Sequence, residues 1–200
     1  MIAIAKTAGP TRGRPSAGSA KEDGALKEDG ALVAAAQQGS GEAVEALVRR
    51  HWPAAHRAAY LIVQDAAAAE DVAQESMLAA INALERFDNG RPLSPWLHRI
   101  VINNALKWLR AAPRRREVAV ARAPKGEETD PVPEVSDQLL LALRALDADQ
   151  RAVVVLRYLL EFTPGEIARA LELPRGTVNS RLRRALDRLG QELDLGMELE

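Results

Sequence analysis

The chain has 200 residues and a formal net charge of −1, with 47% hydrophobic and 28% charged residues, the balance of a folded protein of one mid-sized or two small domains. It contains no cysteine, which excludes disulfides and thiolate-ligated zinc, and its apolar runs fall far short of the roughly 18 residues that span a bilayer. Because only 4% of the residues are aromatic, we expect an aliphatic, alanine-rich core. These features predict an all-α, soluble, cytoplasmic protein with no membrane insertion.

Glycine, proline and polar turn residues divide the first part of the chain. Residues 1–28 combine Gly, Ala, Pro, Ser and charge without an apolar period, which predicts a disordered tail. Residues 29–112 predict a helical domain with three breaks: Gly39–Gly41, Gln64–Asp65, and a loop from Phe87 to Pro95. Pro53 is expected to interrupt the second helix, and Ser94 to cap the last one with Pro95 at its first position.

A polar stripe runs along the helix before that loop. Its apolar side, expected to be buried, comprises Ala73, Met77, Ala80 and Leu84. The stripe recurs at i, i+3, i+4 and i+7 and comprises Asp71, Gln74, Glu75 and Leu78. From the spacing alone it is either solvated surface or a strip that docks on a partner helix.

The last helix of this domain has an apolar face and a basic face. At about 100° per residue, the apolar face contains Leu97, Val101, Ala105 and Trp108. The opposite face contains Arg99, Asn103, Lys107, Arg110 and Arg114. Trp96 lies among the cations, where its ring could stack on an unpaired base or simply cover the preceding loop.

Residues 113–135 contain four prolines, many charges and no apolar period, which predicts a flexible linker. Fully extended, such a segment reaches roughly 75–80 Å. That length would join modules docked about two duplex turns apart on DNA, at about 34 Å per turn. A second helical domain is expected over 136–193, followed by an acidic tail at 194–200.

The second domain contains the pattern of a helix-turn-helix. Thr163 is placed to cap a helix over Pro164–Leu171, and Thr177 to cap a second helix after a short turn. The expected buried side of the second helix comprises Val178, Leu182, Ala185, Leu186 and Leu189. Its outward side comprises Asn179, Ser180, Arg183 and Arg184. In the major groove Asn can read adenine and Arg can read guanine. The flanking residues suit phosphate contacts: Arg175, Thr177, Arg181 and Arg188.

Three stretches together resemble the extracytoplasmic-function (ECF) sigma factors, a subfamily of the sigma-70 family of bacterial RNA polymerase subunits. They are AEDVAQESMLAAINALERF (69–87), PWLHRIVINNALKWLR (95–110) and TPGEIARALELPRGTVNSRLRRAL (163–186). The likeness covers about residues 30–190. It implies that 29–112 form sigma region 2 and 136–193 form sigma region 4.

The resemblance also implies partners and roles. Core polymerase would be bound through its β′ clamp helices by Asp71, Gln74, Glu75 and Leu78, and also through its β flap. The −10 promoter element would be read and opened by the loop and the basic face, comprising Phe87, Asp88, Asn89, Gly90, Arg91, Trp96, Arg99, Asn103, Lys107 and Arg110. The −35 element would face Asn179, Ser180, Arg183 and Arg184, with Arg175, Thr177, Arg181 and Arg188 on phosphates. An anti-sigma factor is a further candidate partner, and no cofactor or metal is implied.

Some positions depart from the pattern usual in the family. Lys107 stands where an acidic residue is common, His98 where an aromatic is frequent, and Glu172 where the turn usually has glycine. Glu172 should therefore strain the backbone if the turn needs a left-handed conformation.

Two other classes of function fit the sequence less well. A two-domain helix-turn-helix regulator would act without core polymerase, but the basic face around Trp96 has no evident use in a ligand sensor. An enzyme fits poorly, because His51, His56 and His98 form no recognisable catalytic or metal-ligating pattern and the glycines form no phosphate-binding loop.

Overall fold

The computed structural model describes residues 28–119 and 137–197, with side chains over 28–111 and 138–191, and within those ranges it is helical with no strand. The helices are α1 (28–37), α2 (Gly41–Val63), α3 (Ala66–Ala83), α4 (Leu93–Ala119), α5 (Asp137–Arg144), α6 (Ala148–Val154), α7 (Pro164–Ala170) and α8 (Arg175–Met197). A 3₁₀ turn at Leu84–Arg86 follows α3, and a π-helical segment at Val155–Leu159 follows α6. The predicted all-α class is confirmed. Most of the predicted N-terminal tail and linker lies outside the described residues.

At two of the predicted breaks in the N-terminal domain, a capping side chain begins the next helix. Ser40 accepts a hydrogen bond from the Ala43 N–H and begins α2, after Gly39 has turned the chain with a φ of +93°. Gln64 ends α2 in the left-handed region, and Asp65 accepts from the Ala68 N–H to begin α3. Because these caps satisfy N–H groups that a helix start leaves free, short polar turns are enough to separate long helices.

Several predicted helix boundaries were wrong by a few residues. Helix α2 continues through Pro53, since a proline costs one hydrogen bond that packing can offset. Helix α4 begins at Leu93, so Ser94 is not its cap, and it continues past Pro113 into the predicted linker. Helix α8 begins at Arg175 rather than after Thr177, because the Thr177 N–H already donates to the Pro174 carbonyl. It also extends to Met197, into the predicted acidic tail.

The helices bury most of the residues that their periodicity predicts to be buried. The predicted apolar residues of α3 and α4 are buried except Trp108, which is half-buried; in α8 Val178, Leu182 and Ala185 are buried, and Leu189 is half-buried. Leu186 was predicted to be buried but is 44% exposed. At about 100° per residue it lies about 80° from Val178, at the edge of the arc that neighbouring helices cover. One apolar cluster contains residues of both domains, and α6 packs against α2 and α4.

The turn between α7 and α8 confirms the expected strain. Glu172 has a φ of +54°, in the left-handed region that costs a residue with a Cβ about 1–2 kcal/mol. The conformation lets the Leu173 N–H reach the Ala168 carbonyl at 2.9 Å, which closes the end of α7.

Glu172→Gly is therefore expected to stabilise the protein by about 0.5–1 kcal/mol, because glycine adopts this φ without a Cβ clash. The midpoint of urea unfolding should rise. Glu172→Ala is the matched control: it removes the same carboxylate but keeps the Cβ, and it should not stabilise the protein. An equal gain in both variants would show that charge rather than backbone strain is responsible.

Helix α4 carries a histidine whose protonation opposes folding. Burial, with a smaller contribution from the nearby His51 and Arg57, lowers the pKa of His98 from 6.5 to about 4. The unfolded chain thus binds a proton between pH 6.5 and 4 that the folded chain does not. Stability from this site is present above pH 6.5 and is lost as the pH falls towards 4.

His98→Phe is accordingly expected to reduce the loss of folding stability between pH 7 and pH 4.5. Urea midpoints of the two proteins at several pH values provide the measurement. If the variant lost stability with acid as steeply as the parent, another group would be responsible.

Candidate polymerase and promoter interfaces

The polar stripe of α3 lies on the side away from the core. Asp71, Gln74, Glu75 and Leu78 are all exposed, while Val72, Ala73, Ser76, Met77 and Ala80 on the other side are buried. Leu78 is 62% exposed, a large apolar side chain at the C-terminal end of a strip that contains two carboxylates. An exposed leucine within an acidic strip has the composition of a protein-docking surface, with an apolar anchor and a polar rim.

The loop before α4 is organised by Asp88. Its carboxylate accepts from the Gly90 N–H at 3.1 Å and pairs with the Arg91 guanidinium at 3.1 Å, an Asx-type turn. Asp88, Asn89, Gly90 and Arg91 are exposed at the tip of the loop. These four residues therefore form a preorganised and accessible tip.

Two aromatic residues support that tip from below. Phe87 is buried, and its ring centroid lies 4.8 Å from that of Trp96, with 49° between the ring planes. Trp96 is half-buried and also packs against Leu93 and its neighbours. Phe87 is thus unavailable to a base in this conformation, and Trp96 offers only part of its ring.

The basic face of α4 is exposed as predicted. It presents Arg99, Asn103, Lys107 and Arg110. Two of these side chains contact the second domain: the Asn103 amide donates to the Ala170 carbonyl at 3.1 Å, and Arg110 pairs with Asp149 at 3.3 Å. The side chain of Arg114 lies outside the described residues.

Helices α7 and α8 form the expected helix-turn-helix. Thr163 and Glu166 make a capping box at the start of α7, and hydrogen bonds from Thr163 lower the pKa of the Glu166 carboxyl. The outward side of α8 exposes Arg175, Asn179, Arg183, Arg184 and Arg188. Ser180 and Thr177 are half-buried, and the Ser180 hydroxyl donates to the Thr177 carbonyl at 2.9 Å. Arg181 pairs with Asp149 at 2.8 Å.

Two residues that sequence reasoning missed lie at the contact between the domains. Asp149 binds Arg110 and Arg181, and Arg151 donates to three main-chain carbonyls, of Ile62, Leu143 and Leu146. Desolvation lowers the pKa of Arg151, although it stays cationic. Nothing in the periodicity of a short helix signals such contacts.

Comparison with known proteins identifies both domains. Residues 47–115 match the family model of Sigma-70 region 2, and residues 136–189 match that of Sigma-70 region 4. The chain is 34% identical over 151 residues to the RNA polymerase sigma-E factor of Streptomyces coelicolor, covering 74% of this chain and 85% of that protein. It is 35% identical over 163 residues to the ECF sigma factor SigM of Mycobacterium tuberculosis, covering 81% and 83%.

Two solved structures share the fold. CnrH in complex with the cytosolic domain of CnrY is 30% identical, with a TM-score of 0.61 over 84% of this chain and 98% of that one. The sigma factor RpoE of Bartonella quintana, solved with the anti-sigma factor NepR, is 25% identical, with a TM-score of 0.62 over 75% and 96%.

The chain is therefore a member of the sigma-70 family and contains its regions 2 and 4. Within that family it belongs to the ECF sigma factors, which bind core RNA polymerase and promoter DNA and direct transcription initiation. A regulator that acts without core polymerase is not favoured. Among the described residues, no helix is long and apolar enough to cross a membrane, and no group of His, Cys, Asp and Glu could hold a metal ion.

Proposed function

We propose that this sigma factor divides its work among three surfaces. The α3 strip of Asp71, Gln74, Glu75 and Leu78 docks on the β′ clamp helices of polymerase. The tip Asp88–Arg91 and the basic face of α4 bind the −10 element, and α8 reads the −35 element. The protein acts in the cytoplasm, where it binds polymerase and DNA without catalysing a reaction.

The observation that carries this proposal is the exposed side of α8. Asn179, Arg183 and Arg184 lie together on the first turns after a capped helix and a short turn, the position from which a recognition helix enters the major groove. Each good pairing of such a side chain with a base discriminates by about 1–3 kcal/mol.

The −10 assignment rests on the exposed tip and the cations behind it. Holding flipped bases would offset an unstacking cost of a few kcal/mol, so binding energy alone can help to melt DNA. Since Phe87 is buried beneath the tip, we assign it a supporting role rather than a base contact. The RpoE relative was solved with an anti-sigma factor, which supports the same class of partner for this chain.

Because the chain has no cysteine, single cysteines can carry an iron–EDTA cleavage reagent without background labelling. In the polymerase–promoter complex, a reagent at Asn89→Cys is expected to cut DNA around −10, and one at Arg188→Cys around −35. Arg49→Cys, on the exposed side of α2, is the control and should give no localised cuts. If the reagents at Asn89→Cys and Arg188→Cys cut the DNA at the same location, the two domains would not bind separate promoter elements as proposed.

A further inference from the structure

Helix α1 lies against the loop that we assign to the −10 element. One apolar cluster contains Val33 of α1 together with Leu84 and Phe87, which come before the tip of the loop. Leu93, which follows the tip, belongs to the same cluster, and all four side chains are buried. Both ends of the loop therefore pack on α1, although α1 precedes the residues 47–115 that match the region 2 family.

The side-chain amide of Gln37, the last residue of α1, contacts the start of this loop. Its Nε2 donates to two main-chain carbonyls, those of Leu84 and Phe87, at 2.9 Å each. An amide nitrogen has two hydrogens, so one side chain can make both bonds. The two carbonyls lie at the two ends of the 3₁₀ turn, where the Phe87 N–H donates to the Leu84 carbonyl at 3.0 Å. Gln37 thus holds the point at which the chain leaves this turn for the tip.

A glycine of α1 leaves room for the tip itself. A Cβ at Gly30 would lie 3.3 Å from Oδ1 of Asn89 and 4.0 Å from the Asn89 carbonyl oxygen. Glycine is the poorest helix former after proline, so α1 alone would favour almost any other residue here. A larger side chain at this position would press on Asn89, which belongs to the exposed tip.

Helix α1 is held to α2 at its other end. Asp29 and His51 are both buried. One carboxylate oxygen of Asp29 lies 3.2 Å from Nε of Arg50, and the other lies 3.1 Å from Nε2 of His51. Arg50 also pairs with Glu28 at 2.8 Å. These contacts fix the first turn of α1, and Gln37 contacts the loop from the last turn, so α1 connects the loop to the body of the domain.

We propose that Gln37 is a positioning residue for −10 recognition, because its amide holds the loop in the conformation that presents Asp88–Arg91 to single-stranded DNA. Gly30 provides the space that Asn89 needs in that conformation. The proposal rests on the role proposed above for the tip. A loop already in its binding conformation loses less conformational freedom on binding. If that conformation is populated only in part, the apparent affinity falls by the same fraction.

Amide hydrogen exchange in the free protein tests the hold on the loop without any promoter. Because Gln37 is exposed, Gln37→Leu removes both donated hydrogen bonds and should leave the core intact. The Phe87 N–H should exchange about 5- to 30-fold faster, the effect expected for the loss of two hydrogen bonds. Gln38→Leu makes the same change at the neighbouring exposed glutamine and should leave this exchange rate unchanged.

Promoter melting tests the consequence for −10 recognition. Templates that the parent holoenzyme selects from random DNA are melted by each variant holoenzyme, and permanganate detects the unpaired thymines. For Gln37→Leu, the holoenzyme concentration that gives half-maximal melting should rise about 5- to 30-fold. Its affinities for core polymerase and for a −35 duplex should stay within about twofold of the parent. Gln38→Leu should match the parent in all three measurements.

Gly30→Leu separates positioning from folding, because leucine favours a helix more than glycine does. The midpoint of urea unfolding should not fall. The holoenzyme concentration for half-maximal melting should nevertheless rise, as it does for Gln37→Leu, because the added side chain displaces Asn89. A purely structural role for α1 would instead make melting follow stability.

Three results would overturn the proposal. They are equal Phe87 exchange rates in the Gln37 and Gln38 variants, faster exchange in Gln37→Leu without a loss of melting, and equal losses of melting and of −35 binding. If the parent holoenzyme selected no templates at all, the proposed function would fail instead. The exchange rates would then still decide whether Gln37 holds the loop.

Discussion

Replacing Leu78 with lysine is expected to weaken binding to core polymerase by about 2–4 kcal/mol, or roughly 30- to 1,000-fold. Leu78 is the apolar residue of the α3 strip, at its C-terminal end, and is 62% exposed. The change removes the anchor and places a cation where an acidic surface is needed. The helix should tolerate it, since a lysine at this position would sit one turn after Glu75 on an exposed face. The affinity of labelled protein for core polymerase provides the measurement.

The chain offers a closely matched control. Leu141 of α5 is also 62% exposed and belongs to the second domain rather than to the α3 strip. Leu141→Lys makes the same chemical change and should leave polymerase affinity within about twofold. Binding of Leu78→Lys to a −35 duplex should likewise be unchanged. If both leucine variants lost polymerase affinity equally, the effect would come from general surface charge, and the α3 strip would not be the docking site.

Arg184→Ala is expected to cost about 1–3 kcal/mol of −35 recognition and to relax the preference at one base position. Arg184 is exposed on α8, and its Nε donates to the Ser180 carbonyl at 3.3 Å, one turn earlier. That contact orients the side chain along the outward side of the helix. Affinities should be measured at fixed salt for a −35 duplex and for each of its single-base variants.

A phosphate contact gives a different pattern, which makes Arg188→Ala the useful comparison. Its loss should weaken binding about equally on every duplex and reduce the dependence on salt. If Arg184→Ala behaved in the same way, with equal losses on all sequences, Arg184 would not read a base.

The sequence predicted which helix faces are exposed better than it predicted where the helices begin and end. The period of α3 correctly separated Ala73 and Met77 in the core from the exposed Leu78, because one face of a helix packs against its neighbours. The start of α8 was misplaced because Thr177 resembles a cap, although the helix already begins at Arg175. The two prolines at positions 53 and 113 did not end their helices, since a proline removes one hydrogen bond and weakens a helix only locally.

The contacts between the domains could not be predicted at all. Asp149 and Arg151 lie in a seven-residue helix, and their partners include Arg110 and Ile62, which are distant in sequence. Helical periodicity describes which side of a helix is buried, but not which other element covers it. The burial of Phe87 was missed for the same reason, because its partner Trp96 was placed on the basic face.

Run-off transcription with purified core polymerase on a pool of random DNA tests the central claim most directly. We expect the protein to select templates with start-site-specific transcripts, and these templates to share two short elements at a fixed spacing of about two duplex turns. Leu78→Lys should abolish the selection of templates, and Arg184→Ala should relax the base preference only in the upstream element. Products no more specific than those of core polymerase alone, or templates that share a single element, would contradict the claim that two tethered domains recognise separate parts of one promoter.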